Sequence, residues 1–515
     1  MTGAECLLRT LVANGVDTCF MNPGTSEMQF VAALDRVPGM RGLLCLFEGV
    51  CSGAADGYAR LLRRPAATLV HLGPGLGNAL CNFHNARKAR SPVVSIVGQH
   101  TAAHLRFDAP LTADIEAFAR PVSSYVRTLE SARGMGKTAA AVIQAARTPP
   151  GQVATLIVPA DFSWSEAGEP QDNLPPPERS CVEAERLREA ARVLRSGEPA
   201  GLLLSGGALF GPALRAAGQL AAGTGVRVFA DRNGARFERG SGRFAPQRLA
   251  YFPEAAEAML AGLKHLILVE SQPPVSFFQY PGRRSELAPT DCEFRVLAPL
   301  NCDGTATLEA LVEECGVARF DPPLARVPQP ALPQGGLTLE AIGQTLAVLM
   351  PEGTILCDEM VSSSEAVSRH LPSAAPYDLL PVTGGAIGQA LPVALGAALA
   401  CPRRKVLAVE ADGSAMYTLQ SLWTMAREGL DVVTVILANR RYRILDIEMQ
   451  RTGAGPLGKR ANDMLDIGRP NLEWVKLAEG LGVPATRATT AEEFVAQFRA
   501  AVHQPGPALI EAVVP

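Results

Sequence analysis

Three constellations in this 515-residue chain carry side chains able to do chemistry. The first is Glu48, which closes the apolar run Leu43–Phe47 and precedes the small-residue stretch Gly49–Ala55 and Asp56-Gly57-Tyr58-Ala59-Arg60. A lone carboxylate between a buried strand and a helix of small residues is desolvated and suited to exchanging a proton near neutrality. A glutamate in a first helical turn is equally suited to satisfying the free amides there, and spacing does not choose between the two. The second is Glu410-Ala411-Asp412-Gly413-Ser414, which follows the run Lys405–Val409, together with Asn439, which follows Val432–Leu437. Adjacent parallel strands would bring Asp412 and Asn439 side by side at their carboxyl ends, where α/β sheets bind ligands. A carboxylate and an amide oxygen are hard donors, suited to Mg²⁺ and through it to phosphates, although Asp-Gly-Ser is also an ordinary turn. The third is Gly73-Pro74-Gly75-Leu76-Gly77-Asn78, which follows the run Ala67–Leu72 and opens a helix. That is the context of a dinucleotide fingerprint. An NAD site would also need an acid about 20 residues on, and none stands between Gly77 and Asp108. Gly134-Met135-Gly136-Lys137-Thr138 reads as a helix start, because a phosphate loop needs glycine where Ser131 stands.

These residues need rigid elements to hold them. Short apolar runs alternate with helix-length amphipathic stretches: Ala67–Leu72, Val93–Val97 and Val153–Val158; then Gly201–Leu204, Val226–Phe229, His265–Val269 and Phe294–Leu297; then Thr354–Cys357, Lys405–Val409, Val432–Leu437 and Ala508–Val513. Such runs predict parallel sheets buried on both faces. Pro-rich stretches at Pro159–Ser180, which includes Pro175-Pro176-Pro177, and at Asp321–Gly336 read as linkers. They cut the chain into three consecutive α/β domains at 1–165, 180–318 and 337–515, the number its length predicts at roughly 150 residues each.

A net charge of −3 offers no field for a phosphate backbone, so nucleic acid is not an expected partner. The eleven cysteines are unevenly spaced, without a CxxC pair, which predicts buried reduced thiols. The first residues lack a basic segment and an apolar one, so a cytoplasmic location is expected. Leu379–Pro402 carries no charge over 24 residues, but its glycines and its prolines at 381 and 392 predict a buried turn and helix, not a membrane span.

Taken together, the motifs resemble the thiamine diphosphate (ThDP) enzymes of the acetolactate synthase and benzoylformate decarboxylase superfamily. The resemblance spans nearly the whole chain. It rests on Asn22-Pro23-Gly24-Thr25, Glu48 with Ala55–Arg60, Gly73–Asn78, Ser91-Pro92 through Gly98-Gln99, Gly384–Gly388, and Asp412-Gly413-Ser414 with Asn439. It implies a pyrimidine-binding domain, a central domain and a diphosphate-binding domain. By that resemblance Glu48 contacts N1′ of the aminopyrimidine, and Asp412, Asn439 and the Arg441 carbonyl hold the Mg²⁺. Ile387 wedges the cofactor, and the Gly385 carbonyl accepts from its 4′-amine. Asn22, Gly24, Glu359, Ser362, Ser363, Gly413 and Ser414 fall where the family lines the cofactor site. The resemblance also implies a homodimer as the minimum unit, usually a homotetramer. The activity it implies is decarboxylation of a 2-oxo acid to an enamine, which is released as an aldehyde or ligated to a second carbonyl such as an acceptor aldehyde.

The N-terminal third is most similar to benzoylformate decarboxylases, through His71, Thr25 and Gln99-His100-Thr101. By that match His71 relays a proton at the reacting centre and Thr25 supplies a hydroxyl to the substrate. Those enzymes place a second histidine before a Gln-Tyr pair of the central domain, whereas here Phe278 precedes Gln279-Tyr280. Ile444 and Glu448 stand where relatives contact substrate, which makes a polar or charged acceptor a live hypothesis. Alternatives are acetolactate synthase-like catalysis and a non-catalytic ThDP-binding regulatory protein. FAD is not expected, as the central domain has no evident motif for it.

Overall fold

The computed structural model describes residues 1–175 and 177–515. The first sheet is built from β1 (Thr18–Asn22), β2 (Arg41–Leu44), β3 (Ala66–Val70), β4 (Val93–Gln99), β5 (Tyr125–Thr128) and β6 (Val153–Pro159), in the order β2-β1-β3-β4-β6-β5. The second holds β7 (Ala200–Leu204), β8 (Arg227–Ala230), β10 (Gln247–Arg248), β11 (His265–Val269) and β12 (Glu293–Ala298), in the order β10-β8-β7-β11-β12. The third joins β13 (Ile355–Glu359), β14 (Tyr377–Pro381), β15 (Val406–Ala411), β16 (Val432–Ala438), β17 (Ala485–Ala488) and β18 (Ala508–Val513), in the order β17-β18-β16-β15-β13-β14. Its far edge is completed by β9 (Phe237–Arg239), which the central segment lends to β14 as an antiparallel strand.

Each predicted apolar run lies on a strand, because β-branched and leucine side chains fill both faces of a sheet covered by helices. The expected Pro159–Ser180 linker begins with a short helix, Ala160–Trp164. Pro176 of its proline run lies outside the described residues. All eleven cysteines are free thiols and most are buried.

The glycine- and alanine-rich stretch after β14 is a turn followed by a buried helix, Ala390–Ala400. No helix of the described residues is long and apolar enough to cross a membrane. This helix packs against the Glu48–Leu62 helix of the first domain, and the small residues of both are there for that contact. A Cβ at Gly53 would sit 2.6 Å from Pro392, one at Gly57 2.2 Å from the Val393 carbonyl, and one at Gly396 1.9 Å from the Ala54 carbonyl. One apolar core therefore runs from Phe83 and Leu76 of the first domain into Leu391, Leu395 and Trp474 of the third. Beneath it the Asp56–Arg60 ion pair is fully buried. Gln389 donates to Asp56 (2.7 Å), and Arg60 donates to the Pro381 carbonyl (2.8 Å) and to Thr383 (3.0 Å). Buried charges persist when every lone pair and proton is taken, and here they brace the first domain on the third.

Candidate active site

Three neighbouring strands of the first sheet deliver its site residues. The register pairs Asn22 with Val70 and Val70 with Val97, so Asn22–Thr25, His71 and Gly98–His100 leave the sheet side by side. His71 Nδ1 lies 2.8 Å from Glu27 Oε2. Leu72, which follows, takes a left-handed φ of +51°, a conformation that side chains adopt only where the surroundings hold them. Glu48 begins the Glu48–Leu62 helix and is buried. Its Oε2 accepts from Asn78 Nδ2 at 3.0 Å, and a Cβ at Gly75 would sit 3.1 Å from its Oε1. Gly75 and Asn78, in the first turns of the Leu72–Ala89 helix, thus make room for and orient that carboxylate. Thr25 is exposed at the start of a short 3₁₀ turn.

At the third sheet the register Ala411 to Leu437 sets Asp412 and Asn439 at the ends of adjacent strands. Asp412 accepts from the Gly413 amide (2.9 Å) and, through its other oxygen, from the Arg440 amide (2.6 Å). Asn439 Oδ1 accepts from the Arg441 amide at 3.0 Å. Arg440, at φ +59°, is the twist that turns these amides inward. Burial pushes the Asp412 carboxyl up to about 6 against those amides, a penalty that a bound cation relieves. Among the described residues no group of three or more His, Cys, Asp or Glu side chains is arranged to hold a metal ion. A single acid, an amide oxygen and a main-chain carbonyl form the kind of donor set in which Mg²⁺ keeps room for water and phosphate oxygens. These residues fit that group. The Arg441 carbonyl accepts from Arg443 N (2.9 Å), and its guanidinium is paired with Asp446. Gly413 is a close approach, since a Cβ there would meet the Tyr442 ring at 2.5 Å. The Ser414 hydroxyl donates to the Ala411 carbonyl at 3.0 Å, within its own turn.

The Gly384–Gly388 loop is sewn to the Leu72–Ala89 helix. His84 Nε2 lies 3.1 Å from the Gly384 carbonyl, and Asn85 donates to the Ala386 carbonyl at 2.8 Å. Asn82 bridges the Gly49 carbonyl (2.9 Å) and the Gly388 carbonyl (3.2 Å). Asn78, Asn82 and Asn85, spaced four and three residues apart, form a polar stripe that links the Glu48 helix to the loop carrying Gly385 and Ile387. Three asparagines at this spacing on one helix face are the signal that the sequence carries for this stripe.

Glu359, expected along the cofactor cleft, has its carboxylate on the backbone of the Gly384–Gly388 loop and the helix that follows. Its carboxylate accepts from the amides of Gly388 (2.7 Å), Gln389 (2.7 Å) and Ala390 (2.8 Å). These amides lead into the Ala390–Ala400 helix and would otherwise be unsatisfied. The register places Glu359 directly opposite Glu410. Burial, and then the Glu359 charge, push the Glu410 carboxyl far up, while burial raises Glu359 to about 7 against its three amides. Both Glu410 oxygens are buried without a hydrogen-bond partner, and Glu359 supports the loop from behind. Ser362 and Ser363 follow Val361, another left-handed residue at φ +51°, and Ser363 is buried.

On the central-domain side, Phe277 is the aromatic that meets the Gly384–Gly388 loop: a Cβ at Gly385 would sit 2.4 Å from its ring. Phe278 stacks edge-on against Phe277 at 4.9 Å and is 52% exposed. Ile444 and Glu448 lie on the Arg443–Thr452 helix, none of whose residues is buried. Glu448 is engaged, accepting from the Tyr280 hydroxyl at 3.0 Å.

Residues 1–118 match the family described as thiamine pyrophosphate enzyme, N-terminal TPP binding domain, and residues 360–512 match the corresponding C-terminal TPP binding domain. The chain is 50% identical to a Mycobacterium tuberculosis protein named "Putative acetolactate synthase large subunit IlvX", over 100% of this chain and 99% of that one. It is 30% identical to a benzoylformate decarboxylase of Pseudomonas aeruginosa, over 97% of this chain and 96% of the relative. In fold it is similar to the ThDP-dependent 4-hydroxybenzoylformate decarboxylase of Rhodococcus jostii, with a TM-score of 0.87 at 24% identity over 99% of this chain and 98% of that chain. With its paired TPP-binding domains and relatives aligned end to end, the chain belongs to the thiamine pyrophosphate enzyme family.

Proposed function

We propose that this ThDP enzyme is Mg²⁺-dependent and decarboxylates a 2-oxo acid, passing the product carbon to a proton or to a second carbonyl. The carrying observation is that a buried carboxylate, Glu48, and a one-acid oxygen donor set, Asp412 with Asn439, are each fixed by short hydrogen bonds at sheet ends. ThDP, when bound, supplies the nucleophilic carbon and the electron sink for loss of CO₂. Glu48, oriented by Asn78, exchanges a proton with N1′ of the aminopyrimidine. Asp412, Asn439 and the Arg441 carbonyl hold the Mg²⁺, while Gly385 and Ile387 shape the cofactor cleft. His71 moves a proton at the reacting carbonyl. Thr25, exposed beside it, offers a hydroxyl to the substrate. The two half-sites belong to different domains, and this reading takes them to complete one another across a homodimer, assembled further into a tetramer.

A specific observation favours ligation over simple release as aldehyde. The central-domain wall at Gly385 is Phe277, backed by Phe278, a hydrocarbon surface without a second imidazole. Such a wall shields the product carbon from protonation and leaves it for a second carbonyl, which is also the acetolactate synthase-like reading. The test is CO₂ release from aliphatic and aromatic 2-oxo acids with ThDP and Mg²⁺, each with and without an acceptor aldehyde. Release that Glu48→Gln abolishes supports the reading, and hydroxy ketone as the main product supports ligation. ThDP binding without turnover of any acid overturns it in favour of a regulatory role.

A further inference from the structure

His71 has a partner that no motif pointed to. Glu27 ends the short turn after Gly24 and is 3% exposed. Its Oε2 accepts from the Gly24 amide at 2.7 Å and lies 2.8 Å from His71 Nδ1. Its Oε1 is buried with no protein donor. Two glycines are cleared around the pair. A Cβ at Gly24 would sit 2.3 Å from the His71 ring, and one at Gly98 would sit 1.6 Å from Glu27 Oε1. Gly24 follows β1 and Gly98 lies on β4, the strands on either side of the β3 that delivers His71, so the first sheet has made a slot for this carboxylate and this imidazole together. Burying a carboxylate beside an imidazole is costly unless they pair. Burial pushes the Glu27 carboxyl up, and His71 and the Gly24 amide act against that.

We propose, building on the functional reading above, that Glu27 is a positioning residue that holds His71 in the Nδ1-protonated form. Nε2 is then the nitrogen left to trade a proton with the reacting carbonyl. A carboxylate acceptor at one imidazole nitrogen fixes which tautomer is present. The other titratable groups near the ring are Glu48, across Gly75, and His100 with His104, at the end of β4. Among these groups and Glu27, it is Glu27 that lies within hydrogen-bond distance of Nδ1.

The test is ¹⁵N NMR of histidine-labelled holoenzyme as pH is raised, with His71 assigned by its loss in His71→Gln. His71 is expected to be Nδ1-protonated in the wild type and to lose that preference in Glu27→Gln. In the same variant kcat is expected to fall about 100-fold, with its pH profile displaced and KM little changed. Glu27→Asp, which keeps the charge, should recover part of both. Wild-type His71 in the Nε2-protonated form overturns the inference without any variant, so a misfolded Glu27→Gln does not protect it. Equal tautomer populations in wild type and Glu27→Gln also overturn it. A tautomer that depends on Glu27 in a protein that turns over no 2-oxo acid leaves the pairing standing and removes the functional reading instead.

Discussion

Two buried glutamates, Glu48 just after β2 and Glu359 at the end of β13, look alike in the sequence: each stands at or near the end of an apolar run and each falls where the resemblance expects a cofactor contact. The structure gives them opposite neighbours. Glu48 accepts from one side-chain amide, with its other oxygen facing the space left by Gly75. Glu359 has both oxygens on the three amides that open the Ala390–Ala400 helix. An acid with both oxygens on backbone amides holds structure, whereas one with an open oxygen can trade a proton.

The sharpest way to break this comparison is to neutralise both acids in turn. Glu48→Gln should lower kcat by at least about 100-fold, the scale of a lost proton-transfer group, while Tm stays near the wild-type value. Glu359→Gln should do the reverse in kind. Its amide nitrogen faces backbone N–H groups, leaving hydrogen bonds unmade at a cost of about 3 kcal/mol, or a fall of about 3 °C in Tm for a chain of 515 residues. It should also change the pH dependence of stability. Burial raises Glu359 from 4.5 to about 7, so the folded protein holds a proton that the unfolded chain releases. That stability is full below pH 4.5 and is lost as pH rises through about 7. Over this window the wild-type Tm should fall with pH more steeply than that of Glu359→Gln. A Glu359 variant that loses activity while keeping its Tm would put this acid in the chemistry after all.

The packing that joins the two sites gives the next prediction. Gly57 faces the Val393 carbonyl, and a methyl there would sit 2.2 Å from backbone. Gly57→Ala gains about 1 kcal/mol of helix propensity yet should lose about 2 kcal/mol net by overpacking. The midpoint of denaturant unfolding measures it, and a midpoint at or above the wild-type value would show that the two helices can slide apart.

The strands read from apolar runs were legible because hydrocarbon covered on both faces leaves an unmistakable pattern. Those that were not legible depend on distant partners. β14 is Tyr377-Asp378-Leu379-Leu380-Pro381, and its Asp378 is tolerable only because Arg236 (3.0 Å) and Arg404 bond it. β9 is three residues long and is a strand only because β14 needs an edge partner. The candidate cofactor half-sites were proposed from short motifs, and the fold brings the residues of each motif set to the ends of neighbouring strands. Glu27 was not, because a single glutamate three residues after a glycine carries no pattern until the fold sets it against His71. Phe277 was passed over for its neighbour Phe278, since the chain alone does not show which of two adjacent aromatics turns toward Gly385.

The smallest effect expected is at the acceptor side. Sequence position made Glu448 a candidate contact for a polar acceptor, but its carboxylate already accepts from Tyr280. Arg451, one turn on, lies 4.3 Å from the Tyr280 ring centroid and 4.5 Å from that of Phe252, and bonds Glu254 at 2.7 Å. The Arg443–Thr452 helix is therefore clasped to the central domain, and Glu448 is part of the clasp. If holding Tyr280 is all that Glu448 does, Glu448→Ala and Tyr280→Phe should each raise KM about 5-fold, the worth of one hydrogen bond. The double variant should then be no worse than either alone, because both remove the same contact. The ranking of acceptor substrates should be unchanged in all three. Additive losses, or a ranking that shifts in Glu448→Ala but not in Tyr280→Phe, would mean that the carboxylate leaves Tyr280 to meet the acceptor. Specificity would then reside on this helix and not on the Phe277 wall.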